Sequence, residues 1–142
     1  MIHYNCACLI KIKNKKIFLV RTHDNKKYYL PGGKIEENET VDEAILRELK
    51  EELSLNVTGD EVVFWKTIQG AAYPDTNKKV LLNCFFLKNS TFNYTIKNEI
   101  NHAKFVSIYD KETMAPAVIN VVKALEEDNY VSVSYTHLRA HE

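Results

Sequence analysis

Residues 2–13 alternate in character. Cys6, Cys8, Ile10 and Ile12 fall on one face of an extended chain, with Lys11 and Lys13 on the other. That is the pattern of a half-buried strand. Asn14-Lys15 reads as a turn and residues 16–21 as a second strand, a hairpin without the favoured Asn-Gly signal. Residues 22–27 are polar and read as a loop. Tyr28, Tyr29 and Leu30 make a short apolar run, a third strand that leads into the glycine-rich turn Pro31-Gly32-Gly33.

The period then changes. Val41, Ile45, Leu49 and Leu53 recur at helical spacing from Thr40 onward. Thr40-Val41-Asp42-Glu43 fits a capping box, and Asp42 and Glu43 suit the positive end of a helix dipole. Ser54 closes the helix. Residues 62–69 and 80–87 are rich in β-branched and aromatic side chains and read as strands, the second of them central and interrupted at Asn83. Residues 70–78 and 89–98 read as loops, and 103–108 as a last strand. Proline at 116 marks the first turn of a second helix. There Val118, Val121, Val122 and Leu125 form one apolar stripe, ending near Asp128-Asn129. The order is β-β-(β)-α-β-β-β-α. It predicts an α+β fold, a mixed sheet sandwiched between two main helices.

The chain has 142 residues, enough for one domain, placed at residues 1–130. The tail 131–142 does not continue the pattern. Its last residues, SYTHLRAHE, resemble translated adapter sequence at the ends of gene predictions, so the tail is expected to be non-native or disordered. His137 and His141 within it mimic a metal pair but have no further ligands nearby in sequence. Formal net charge is +0, which gives no basic field for nucleic acid or a membrane surface. Cys6, Cys8 and Cys84 are read as small buried apolar residues rather than a thiol metal site. No apolar run reaches the length of a membrane span and no signal peptide opens the chain. A reducing cytoplasm is expected.

The candidate chemistry lies on the first helix. Glu48, Glu51 and Glu52 fall within an arc of roughly 100° beside the apolar stripe. Like charges at this spacing repel by a few tenths of a kcal/mol each. Near a helix C-terminus they also oppose the dipole. A solvated acidic face is one reading. A divalent cation held by hard oxygen donors is the other, and it suits Mg²⁺ or Mn²⁺ with substrate phosphates completing the shell.

The longer spacing decides between them. Gly33, five residues, Glu39, seven residues, then Arg47-Glu48-Leu49-Lys50-Glu51-Glu52-Leu53-Ser54-Leu55 resembles the Nudix box, G-x5-E-x7-R-E-U-x-E-E-x-G-U with U a bulky aliphatic. One fixed position departs: the second glycine is Ser54. Glycine there supplies a left-handed turn, so serine is expected to strain the exit without removing a ligand. The resemblance runs over roughly residues 2–128.

That resemblance implies hydrolysis of a phosphoanhydride bond in a nucleoside diphosphate linked to another group, with release of a nucleoside monophosphate. It assigns metal binding to Glu48, Glu51 and Glu52, with the Gly33 carbonyl as a further ligand. Arg47 would hold Glu48, and Glu39 would be structural, paired with the loop or with Arg47. The catalytic set is Glu48, Arg47 and Glu99, where Glu48 and Glu99 are rival general bases. Gly32, Gly33, Tyr29, Tyr73 and Asn120 are the candidate substrate contacts, Asn120 as a reader of a purine edge. Phe64, Trp65 and Phe85 are further aromatics of either core or stacking role. Ala71 lacks the proline frequent in members that act on ADP-ribose. Tyr73 loosely fits those acting on dinucleoside polyphosphates, and the small size resembles those clearing oxidised nucleoside triphosphates. A nucleotide sensor that does not cut is the alternative class. The expected partner is a small nucleotide, with the protein a monomer or homodimer.

Overall fold

The computed structural model describes residues 1–22, 24–88 and 92–131. The tail motif with His137 and His141 lies outside the described residues. Seven strands and two helices follow in the order β1 (Tyr4–Ile10), β2 (Ile12–Lys13), β3 (Lys16–Thr22), β4 (Gly32–Lys34), α1 (Val41–Leu53), β5 (Val62–Ala71), β6 (Lys79–Leu87), β7 (Ile100–Ser107) and α2 (Pro116–Glu127).

The first long strand of the sequence reading is two strands. It breaks at Lys11, and its halves enter different sheets. One sheet has the order β4-β1-β6-β5 and the other β2-β3-β7. β1 pairs parallel with β6; the other pairs are antiparallel. The hairpin turn closes with both Asn14 and Lys15 in the left-handed region (φ 51° and 62°), the backbone that matches strand twist in a two-residue turn.

β1 is also more buried than its alternation suggests. Ala7, Cys8, Leu9 and Ile10 are all buried. Cys8 and Ile10 pack with Val118, Val121, Val122 and Leu125 of α2. Ala7 and Leu9 pack with Ala44, Ile45, Leu49 and Leu53 of α1. One helix therefore covers each face, and the period-2 rule puts alternate residues of β1, β3 and β6 into two separate cores. Asn83, the polar interruption in β6, donates from Nδ2 to Asn5 Oδ1 and to Cys6 O, both at 2.8 Å. A buried amide with two acceptors is satisfied, so it sits in a central strand at little cost.

Two local readings change. Tyr28-Tyr29-Leu30 is not a strand; it makes single bridges, Tyr29 to Val20 and Tyr28 to Met114. The strand is the glycine pair itself. Gly32 and Gly33 run as part of β4 against Cys8 and Ala7. Gly32 has φ 141°, and a Cβ there would lie 2.8 Å from Cys8 Cα. Only glycine brings this backbone so close to β1.

α1 begins as its sequence indicates. Thr40 Oγ1 accepts from Glu43 N at 3.1 Å, and Thr40 N donates to Glu43 Oε1 at 2.8 Å. Ser54 ends it in the left-handed conformation, φ 57°, as the glycine of the motif would. Among the described residues no helix is long and apolar enough to cross a membrane.

Candidate active site

Arg47 organises the acids of α1. A guanidinium has five N–H donors. Here Nε donates to Glu39 Oε2 (2.6 Å), Nη2 to Glu39 Oε1 (2.9 Å) and to Lys34 O (3.0 Å), and Nη1 to Glu48 Oε2 (3.1 Å) and Glu51 Oε1 (3.0 Å). All five are used inside the protein. Arg47 thus ties the helix to β4 and to the loop before it, and positions Glu48 and Glu51. It has no donor left for a substrate, so it acts through its neighbours rather than as a member of a reacting set.

Glu39 is held from two sides. Besides Arg47, Glu36 N donates to its Oε1 at 2.9 Å. These bonds favour the carboxylate and hold its pKa down at about 2, Arg47 being the main cause.

Glu48 and Glu52 behave oppositely. Burial raises the pKa of Glu48 against the pull of Arg47. Burial also pushes Glu52 up to about 8, with further increments from Glu48, Glu99 and Glu51, while Gly32 N–H acts the other way. That amide donates to Glu52 Oε1 at 3.0 Å. Glu48 lies directly against Gly33, where a Cβ would come within 2.6 Å of its Cδ. Two half-buried carboxylates thus share one spot where β4 meets the end of α1, and the guanidinium that pairs with Glu48 is shared with Glu39 and Glu51.

Glu51 differs: it is half-exposed and turned to Arg47. Among the described residues no three His, Cys, Asp or Glu side chains converge as a closed metal cage. The donor set nevertheless fits a hard divalent cation. It is all oxygen, it carries uncompensated negative charge, and Mg²⁺ ordinarily takes one or two carboxylates and leaves other positions to phosphates and water.

Of these acids, Glu52 opens onto a cleft of about 420 Å³. Glu52, Gly32, Gly33 and Lys34 form one end of its lining, and Tyr29, Tyr73, Pro74, Val80, Leu82 and Val118 are among the rest. Tyr29 and Tyr73 come together: Tyr29 Oη donates to Tyr73 O at 3.1 Å, and the rings lie 6.4 Å apart. Burial raises the Tyr29 phenol to about 12, helped by Tyr73. Cys6 and Cys8, read as core, also line the cleft. Burial pushes the Cys6 thiol up to about 11, so both cysteines act as apolar wall.

Three other candidates fall elsewhere. Asn120 is not in the lining; its Nδ2 donates to Gln69 O at 2.9 Å, joining α2 to β5. Trp65 packs between Phe86 and Tyr130 and donates to Asp128 Oδ2 at 3.0 Å, away from the acids. Phe85 is buried against α1. Glu99 is exposed in the turn just before β7, near enough for its charge to act on Glu52. Cleft residues that sequence reasoning passed over include Tyr4, Lys34, Ala72, Pro74 and Asp75. Their positions depend on long-range pairing, although Pro74-Asp75 marks a loop that sequence alone reveals.

A fold of this topology, with an arginine-organised acid turn on its first helix, belongs to a defined class. The chain is a member of the NUDIX domain family, whose model matches residues 1–125. It is 40% identical over 56 residues to the 8-oxo-dGTP diphosphatase of Proteus vulgaris, a match covering 37% of this chain and 50% of that protein. The chain therefore aligns with half the length of that relative. YtkD of Bacillus subtilis (strain 168) is 27% identical over 125 residues, 80% of this chain and 76% of its own length. The crystal structure of the MutT protein from Methanosarcina mazei Go1 superposes with TM-score 0.72 at 20% identity, over 89% of this chain and 94% of that one. At that identity the likeness is one of fold.

Proposed function

We propose that this chain hydrolyses a phosphoanhydride bond in a nucleoside diphosphate derivative, with Mg²⁺ or Mn²⁺, releasing a nucleoside monophosphate. The observation that carries the reading is the half-buried Glu48–Glu52 pair, of which Glu52 lines a cleft large enough for a nucleotide. Glu48, Glu52 and Glu51 would hold the metal, with Gly33 as a backbone donor. The metal, when bound, neutralises phosphate oxygens and lowers the pKa of a coordinated water. The protein groups do the remaining work. Arg47 holds Glu48 and Glu51 in fixed rotamers. Gly32 N–H fixes one oxygen of Glu52. Glu48 or Glu99 accepts the proton of the attacking water. Gly32 and Gly33 leave room for the phosphate chain.

The substrate class we favour is an oxidised purine nucleoside triphosphate. Support comes from the Proteus vulgaris relative, an 8-oxo-dGTP diphosphatase, and from Tyr29 and Tyr73, aromatic groups suited to stacking on a base. Residues 1–130 would suffice, as a monomer or homodimer in the cytoplasm. The test is a panel of 8-oxo-dGTP, dGTP, ADP-ribose and a dinucleoside polyphosphate with Mg²⁺, scored for monophosphate release. 8-oxo-dGTP is expected to be cut best. Binding without product from any member would overturn the reading in favour of a sensor.

A further inference from the structure

The last carbonyls of a helix have no partner within it. In α1 the chain reversal at Ser54 takes care of two: Ser54 N donates to Lys50 O at 3.2 Å and Leu55 N to Leu49 O at 3.1 Å. The next three belong to Glu51, Glu52 and Leu53. Each is met by a different group of residues 95–98. Asn98 Nδ2 donates to Glu51 O at 2.8 Å. Lys97 N donates to Glu52 O and Thr95 N to Leu53 O, both at 2.9 Å. A fourth bond runs the opposite way, from Ser54 Oγ to Thr95 O at 3.1 Å. The glycine usual at that position in the motif could not make it.

Glu51 is exposed here but Leu53 is fully buried, so the strap both satisfies these carbonyls and fixes where they lie. Three successive peptides, two of them belonging to acidic residues of the site, are fixed to one loop. Asn98 itself has φ 57°, a left-handed conformation that asparagine tolerates better than most residues. That turn delivers the chain to Glu99 and β7.

We propose that Asn98 is a positioning residue for the acid turn. Through Glu51 O it fixes the peptide that joins Glu51 to Glu52, and its left-handed turn leads the chain on to Glu99 and β7, so that the end of the acid helix and this loop form one rigid unit. The inference rests on the metal-dependent reading above, but its main readout needs no substrate.

Asn98→Gly keeps the left-handed backbone and deletes the amide; Asn98→Ala deletes the amide and disfavours the turn. Mn²⁺ binding followed by electron paramagnetic resonance, the Mg²⁺ concentration for half-maximal turnover, and thermal melting are measured for both. Outer-shell partners of metal sites typically contribute about 10- to 100-fold in affinity. Asn98→Gly is expected to weaken Mn²⁺ about tenfold and to raise the Mg²⁺ requirement in parallel, while KM for nucleotide at saturating metal stays put. Asn98→Ala should go further in the same direction. Lower melting temperatures with unchanged Mn²⁺ affinity would overturn the proposal and leave Asn98 a loop-closing residue. Should Asn98→Ala not fold, Ser54→Ala removes only the bond to Thr95 O and should give a smaller shift of the same sign; no shift in it or in Asn98→Gly again overturns the strap. Weakened Mn²⁺ binding in a protein that cuts no nucleotide would support the strap and overturn the hydrolase reading instead.

Discussion

Arg47 and Glu39 form a two-point ion pair, Nε to Oε2 at 2.6 Å and Nη2 to Oε1 at 2.9 Å. Parallel N–H···O bonds of this kind fix orientation as well as position. They lock the guanidinium so that its remaining donors reach Glu48, Glu51 and Lys34 O. The pair makes acid stability a readable quantity. Glu39 titrates near 4.5 when unconstrained and near 2 in the fold. A lowered folded value means the folded state binds the proton more weakly. Its stabilisation is complete above the ordinary value and disappears as pH falls towards 2. Glu39→Gln should therefore be less stable than the native protein at neutral pH, with a gap that closes as pH drops through that window. Urea titrations across the range check this; a gap of constant size would refute it.

Glu52 leads to the opposite expectation. Its carboxyl is desolvated, and its pKa stands at about 8. Glu52→Gln keeps an oxygen for Gly32 N–H and removes the cost of holding this desolvated carboxyl, either ionised or protonated against its ordinary pKa. The variant should melt at the same temperature or higher. Its Mg²⁺-dependent turnover should nevertheless fall on the order of a thousandfold or more, since the lost charge supports several kcal/mol of catalysis. Full activity in this variant would sink the metal assignment.

The two glycines of β4 should separate cleanly. Gly32→Ala places a Cβ on the backbone of Ala7 and Cys8 at φ 141°, where nothing flexible can yield. It should cost about 1–3 kcal/mol of stability. In Gly33→Ala the obstructed group is the Glu48 side chain, which can swing away. The fold should persist while activity drops about 10- to 100-fold, as when a group supporting a metal ligand is lost. Thermal melts and rates on the two purified variants decide; equal melting losses would refute the distinction.

Much of the acid turn was legible because its information is local. The box of Thr40 and Glu43, the stripe from Val41 to Leu53 and the Glu48–Glu52 spacing all lie within a few helical turns. The glycine strand was not. Gly32 and Gly33 look like a turn until β1 is laid beside them. Splitting one mixed sheet into two depends on the break at Lys11, which carries no proline or glycine. The strap from Thr95 to Asn98 reads as polar loop because its partners are carbonyls more than forty residues away. Distant pairing also explains why Cys6 and Cys8, apolar by pattern, line a cleft.

Asn120 offers the sharpest test of sequence against structure. By analogy it would read a purine edge. In the fold its amide donates to Gln69 O, and Gly70 leaves room for it: a Cβ at Gly70 would lie 3.0 Å from Asn120 Nδ2 and 2.9 Å from Ala117 Cα. The α2 residues that line the cleft are Ala117 and Val118, with Ala115 just before the helix. Asn120→Ala should therefore lower stability by about 0.5–1.5 kcal/mol, the net value of one hydrogen bond. The ratio of kcat/KM between guanine and adenine nucleotides should not move. Val118→Phe should do the reverse, raising KM by filling the cleft while the helix remains folded. A change of base preference in Asn120→Ala, with stability intact, would return Asn120 to the binding site and show that α2 shifts when nucleotide binds.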